Sequence, residues 1–197
     1  MFLSEPCPNE ATSALYARDL AEDGYVSNLT RLWAWRPDVF NAFLNARTLL
    51  TEKAALSLRE RALLVCATAA TVGDSYCALA WGTTLASETD PTTAAAVLQR
   101  KKATALTARE GALVSWAGQV AREPNAIMIE DVNRLRGVGI TDDEIFNATV
   151  FVAFRLAFST VNDALGARPD QPLAAAAPAF VREAVVYGRS VSESPAK

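Results

Sequence analysis

Apolar residues recur every three or four positions along nearly the whole chain, and polar residues fill the intervals. That is the period of an amphipathic helix, and no convincing strand-turn-strand pattern interrupts it. Helix starts are well marked. Pro37 fits the first turn of "PDVFNAFLNARTLL", where its missing N–H costs nothing. Ser57 with Glu60, Thr107 with Glu110 and Thr141 with Glu144 have capping-box spacing, and Pro91 follows Asp90 in a helix-starting role. Gly73, Gly137, Gly139 and Gly166 stand where helices should stop. The pattern predicts an all-α domain of about eight helices joined by short connections. A first helix is expected from about Glu10 to Glu22. After Gly166, "ARPDQPLAAAAPAF" reads as a linker, followed by a last helix ending near Tyr187 and a disordered "SVSESPAK".

One internal echo stands out. "LSLRERALLVCA" from Leu56 and "LTAREGALVSWA" from Leu106 share Leu, Arg, Glu, Ala, Leu and Ala at matching places. A common cap followed by a core helix produces part of this similarity. Two related helical hairpins packed together would also produce it, and two copies are too few for a solenoid.

Composition narrows the chemistry. The 197 residues suit one domain with a core that needs no covalent staples. Net charge is −3, and the densest basic cluster, Arg100-Lys101-Lys102, reads as the end of a helix rather than a nucleic-acid contact. With no histidine, imidazole bases, histidine-dependent metal sites and Ser-His-Asp triads are all excluded. Three cysteines, Cys7, Cys66 and Cys77, imply neither a disulfide framework nor a metal site. "MFLSEPCPNE" lacks the pattern of a signal peptide, and Arg155 breaks the apolar run "ATVFVAFRLAF". The expectation is a cytoplasmic protein with no membrane or nucleic-acid partner, no metal and no cofactor.

The stretch "TVGDSYCALAWG", residues 71–82, concentrates the candidate chemistry: Asp74 lies three residues before Cys77 and Trp81 four after it. Each residue also has a purely architectural reading. A buried Cys77 packs as a small hydrophobe. Asp74 after Gly73 is a good helix N-cap, and Trp81 suits a packing or pocket-wall position. Ala62 reads as helix interior, Cys66 as core and Glu60 as a cap. Trp33, Trp35 and Trp116 read as core or subunit contacts.

"GYVSNLTRLWAWRPDVFNAFL", "LSLRERALLVCATAATVGDSYCALAWGTTLA" and the long stretch from "LTAREGALVSWAG" to "VNDALG" together resemble the alkylhydroperoxidase D (AhpD) / carboxymuconolactone decarboxylase superfamily, most closely its peroxidase-related branch. The resemblance spans residues 24–166, with residues 1–23 as an N-terminal helical arm and 167–197 as the C-terminal linker and helix. It implies an all-helical fold and a homo-oligomer (trimer, hexamer or dimer-based) with the site near subunit contacts. It also implies an antioxidant, peroxiredoxin-type activity on a small-molecule substrate.

Active members of that superfamily open a helix with Cys-x-x-Cys. They place a histidine four residues after the second cysteine and a glutamate twelve before the first. Carried over, the second cysteine is Cys77, preceded by the frequently seen tyrosine, here Tyr76. The first cysteine falls on Asp74, the histidine on Trp81 and the glutamate on Ala62, while an Asn-Arg pair falls on Ser159 and Thr160. The scaffold and one cysteine are kept and the rest of the relay is lost.

The lost residues change what the site can do. A resolving cysteine closes the cycle by attacking the sulfenic acid formed on its partner, and Cys77 has no such partner at Cys-x-x-Cys spacing. Cys66 lies eleven residues back, about 16 Å away along a continuous helix. A disulfide needs Cα atoms within about 7 Å, so only a fold at Gly73 would bring the two together. The helix N-terminus should lower the Cys77 pKa, whereas an ionised Asp74 should raise it, leaving a mostly protonated thiol.

Three readings follow. The first is a divergent peroxidase-related protein, at most a one-cysteine peroxidase acting through Cys77 with an external thiol reductant. The second is acid–base chemistry of decarboxylase or isomerase type by Asp74 on a small apolar molecule. The third is a non-catalytic ligand-binding oligomer. Cys77 and Asp74 are the candidate catalytic residues; Trp81, Tyr76, Ala62 and Cys66 are the candidate substrate contacts.

Overall fold

The computed structural model describes residues 1–53 and 56–193. Its central element is the helix Leu58–Val72 (α4 in chain order), which buries ten of its residues, including Ala62, Leu63, Leu64, Val65 and Cys66. A helix apolar on all sides has no solvent face, which is why this one sits inside the bundle. Before it come α1 (Glu10–Glu22), α2 (Asn28–Trp33) and α3 (Pro37–Lys53). After it come α5 (Ser75–Glu88), α6 (Pro91–Leu98), α7 (Ala108–Arg122), α8 (Ile129–Gly137) and α9 (Asp142–Ala164). Two six-residue helices, α10 (Gln171–Ala176) and α11 (Ala179–Ala184), close the described chain. Helix α4 packs against α5, α6, α7 and α9, while α11 lies on α5 and α6.

The architecture is all-α, and α1 has the bounds that the sequence pattern gives. The three expected capping boxes form at Ser57/Glu60, Thr107/Glu110 and Thr141/Glu144. Gly73 ends α4 in the left-handed conformation, with φ of 81°, where a side chain is disfavoured. The chain then reverses, and α5 packs back along α4.

The two echoed segments lie side by side as α4 and α7, and their arginines are exchanged. Arg59 Nε donates to Glu110 of the other box at 2.5 Å. Arg109 Nε donates to Glu60 at 2.7 Å, while its Nη2 reaches Glu144 at 2.7 Å. Each glutamate therefore caps its own helix and holds the neighbouring one.

The C-terminal expectations need correction. The linker after Gly166 contains α10, and α11 stops at Ala184 rather than near Tyr187. Pro178 separates the two: it has no N–H to continue α10, and it suits the start of the next helix. Residues Val185–Glu193 run without regular structure but are tied down, with Ser75 Oγ donating to the Arg189 carbonyl at 2.7 Å and the Ser192 N–H to that of Pro169 at 2.8 Å. The first half of "SVSESPAK" is therefore anchored, and its last four residues lie outside those described. Of the tryptophans read as core or subunit contacts, Trp33 and Trp116 are buried in the core, while Trp35 is 47% exposed and not core, its indole N–H donating to the Ser4 carbonyl. Helix α9 is also long and apolar enough, by length and composition, to cross a membrane. Here it packs against α3, α4, α7 and α8, with Arg155, Ser159 and Asn162 buried on it.

Candidate active site

The reversal at Gly73 places Asp74 at the N-cap of α5, and the Cys77 N–H donates to Asp74 Oδ1 at 2.9 Å. This satisfies one of the orphan donors of the first helical turn. Ser159, arriving on α9, donates its hydroxyl to Asp74 Oδ2 at 2.5 Å. Asp74 is fully buried, with both carboxylate oxygens engaged.

One turn before Ser159 on α9, Arg155 crosses to the same place. Its Nη2 donates to Cys77 Sγ at 3.0 Å. The guanidinium carbon lies 5.6 Å from the centroid of the Trp81 ring and 5.1 Å from that of Phe158. Those ring faces offset part of the cost of burying the cation. The Nε–H of Arg155 is buried without a hydrogen-bond partner. Phe158 belongs in turn to an aromatic cluster with Trp33, Phe40 and Phe43, and the Trp33 indole N–H donates to Asn162 at 2.9 Å.

Cys77 and Arg155 form part of the wall of a cavity of about 380 Å³. Tyr76, Trp81 and Phe158 line it from the same side, and Phe40, Leu44 and Arg47 from α3. Burial pushes the Cys77 thiol up to about 12. Arg155 pulls it down and Asp74 pushes it up, while the Ser159 hydrogen bond pulls it down. Desolvation prevails, so the resting site holds a neutral thiol.

Sequence reasoning placed six residues here, and the structure divides them. Cys77, Tyr76 and Trp81 line the cavity. Asp74 contacts the Cys77 backbone from the buried side and does not line it. Ala62 and Cys66 are fully buried in α4 and do not line it either. The fold at Gly73 does bring Cys66 within electrostatic reach of Cys77: burial first, then Cys77, raises the Cys66 thiol. Both thiols are free. Tyr76 has a second tie, donating its hydroxyl to Asp170, which also accepts the Asn28 N–H at 3.1 Å. Among the described residues, no group of three or more Cys, Asp or Glu is placed to hold a metal ion.

No family model matches the chain, and no curated protein does. Solved structures do match. One is the alkylhydroperoxidase AhpD core of an uncharacterized peroxidase-related protein from Ralstonia eutropha JMP134. It is 25% identical, with a TM-score of 0.77 over 87% of this chain and 93% of that one. The fold is the AhpD core. An uncharacterized peroxidase-related protein from Silicibacter sp. TM1040 shares the AhpD-core architecture at 21% identity, with a TM-score of 0.77 over 86% of this chain and 92% of that one.

Set in the AhpD core, the residues that sequence reasoning missed are Arg155, Arg47, Arg18 and Phe158. Arg155 left one trace, as the lone charge inside "ATVFVAFRLAF". A cation within an apolar helix face must find a partner or a cavity. Nothing in its spacing tells that the partner is a sulfur 78 positions away.

Proposed function

We propose that this AhpD-core protein is a single-thiol, peroxidase-related oxidoreductase whose one redox group is Cys77. The supporting observation is the Arg155–Cys77 contact at the cavity wall. A guanidinium beside the sulfur favours the thiolate. It also offers a donor for the oxygen that leaves when an O–O bond breaks.

In the proposed step the Cys77 sulfur attacks the terminal oxygen of an organic hydroperoxide. The O–O bond breaks, the thiol's proton ends on the departing alcohol, and Cys77 becomes a sulfenic acid. One external thiol then displaces water to give a mixed disulfide. A second attacks the mixed disulfide, releasing Cys77 as the thiol and leaving joined to the first as a disulfide. The substrate and this thiol reductant are the partners of the reaction. With the Cys77 thiol pushed up to about 12, the thiolate is scarce at neutral pH, so the reading is of a slow enzyme. Self-assembly belongs to the same proposal and is supported by large apolar side chains left exposed, among them Ile129 and Phe146.

The test is hydroperoxide consumption with an external thiol in a Cys7→Ser background, which removes the exposed cysteine. Turnover should survive Cys66→Ala and vanish in Cys77→Ser. Turnover that persists in Cys77→Ser would sink the proposal.

A further inference from the structure

The cavity beside Cys77 is lined by three guanidinium groups from three separate helices: Arg18 on α1, Arg47 on α3 and Arg155 on α9. We propose that this cavity binds a small organic acid. Its carboxylate would sit among Arg18, Arg47 and Arg155, and its apolar body against Phe40, Leu44 and Trp81. Whether Cys77 reacts does not enter the argument.

Each element of the site asks for an anion. The ion pairs among the described residues include none of the three arginines. Arg155 is 4% exposed, its Nε–H has no partner, and its one hydrogen bond goes to sulfur, a weak acceptor. Arg18 lies over the Phe40 ring at 5.7 Å, another apolar resting place. Burial lowers the Arg47 pKa, and the charges of Arg155, Arg18 and Arg61 lower it further. Three cations that repel one another around a partly dry cavity are costly without a counter-charge.

Two carboxylates also line the cavity, and neither forms an ion pair with the three arginines. Asp19 Oδ2 accepts the Ser27 N–H at 3.0 Å, and Glu22 is exposed. The planar, multi-donor guanidinium suits a carboxylate, which it can hold through paired N–H···O bonds. The apolar part of the wall argues against a bare inorganic anion, which would leave Leu44, Phe40 and Trp81 in contact with water. A volume of about 380 Å³ falls within the usual range for small-molecule sites.

Calorimetric titration of the full-length protein tests this, with hexanoate and benzoate as probes, hexanamide and benzamide as uncharged counterparts, and inorganic phosphate as a plain anion. At least one acid should bind tenfold or more tightly than its amide and more tightly than phosphate. Arg47→Gln and Arg18→Gln should each weaken the acid about tenfold and leave amide binding unchanged, while Arg47→Lys should recover part of the loss. Either variant alone suffices if the other fails to fold by circular dichroism. The titration reads no thiol chemistry, so failure of the thiol reaction leaves this site standing. Equal binding of acid and amide, unchanged affinity in both folded glutamine variants, preference for phosphate, or no acid binding up to about 10 mM would each overturn the proposal.

Discussion

Arg155 Nη2 lies 3.0 Å from Cys77 Sγ, joining two helices whose contact residues are 78 positions apart. The contact sets the direction of one prediction. Arg155 lowers the Cys77 pKa, but burial has already raised it to about 12. Between pH 7 and pH 9 the thiolate fraction should therefore climb about tenfold per pH unit, without levelling off. Alkylation of Cys77 by iodoacetamide, followed by mass spectrometry in a Cys7→Ser background, should show that slope. A plateau below pH 9 would contradict it. Arg155→Met should lower the rate at every pH in this range.

Asp163 gives a prediction of stability with pH. Burial raises its carboxyl to about 6, and the nearby Asp74 adds to the shift while Arg189 opposes it. A carboxyl whose folded value lies above its unfolded one imposes no penalty below the unfolded value of about 4. The penalty grows as pH rises and is complete above about pH 6. Asp163→Asn should therefore raise the melting temperature at pH 8 and leave it nearly unchanged at pH 4. Asp163 is only partly buried, so the gain should be modest. Equal gains at both pH values would remove titration as the cause.

The exchanged arginines should be energetically coupled to the caps they join. A double-mutant cycle with Glu60→Gln and Arg109→Met should return a coupling of about 0.5–1 kcal/mol in chemical denaturation. Arg109 and Arg59 also hold Glu144 and Glu110 below the usual glutamate range. That contribution is present above the unfolded value of about 4.3 and is lost as pH falls through the depressed folded values. The stability gap between wild type and Arg109→Met should thus narrow below about pH 4.

Gly188 fixes the C-terminal segment across the start of α5. Its φ is +72°, and a Cβ there would lie 2.3 Å from the Gly73 carbonyl oxygen and 2.8 Å from the Ser75 nitrogen. Both are backbone atoms with no freedom to yield. Gly188→Ala should release the segment and break the Ser75–Arg189 hydrogen bond. Cleavage by trypsin at Arg189 should speed up by about tenfold, the signature of roughly 1.4 kcal/mol of local opening. Unchanged cleavage would show that the segment is held elsewhere.

What the sequence revealed follows from the range of the forces involved. Caps and stops are decided within four residues, so Ser57, Thr107, Thr141 and Gly73 were legible, as was the N-cap role of Asp74. Helical period exposed the core of α4. Resemblance led to Cys77, Tyr76 and Trp81, all three at the cavity. The partners of Cys77 were hidden because they come from α9, and Arg18 and Arg47 because they meet only after α1 and α3 pack. Helix α10 escaped, and the expected last helix, α11, ends short of Tyr187, because six residues give too short a period to read and an alanine-rich linker looks much the same whether coiled or helical.

The crossed pairing of Arg59 with Glu110 and of Arg109 with Glu60 has a consequence for how this chain can change over generations. A lysine substituted at either glutamate would strand an arginine on the opposite hairpin and uncap its own helix in one event. The halves of the echo are thereby joined by charge as well as by packing: a reversal of sign in one is felt in the other, about fifty residues away.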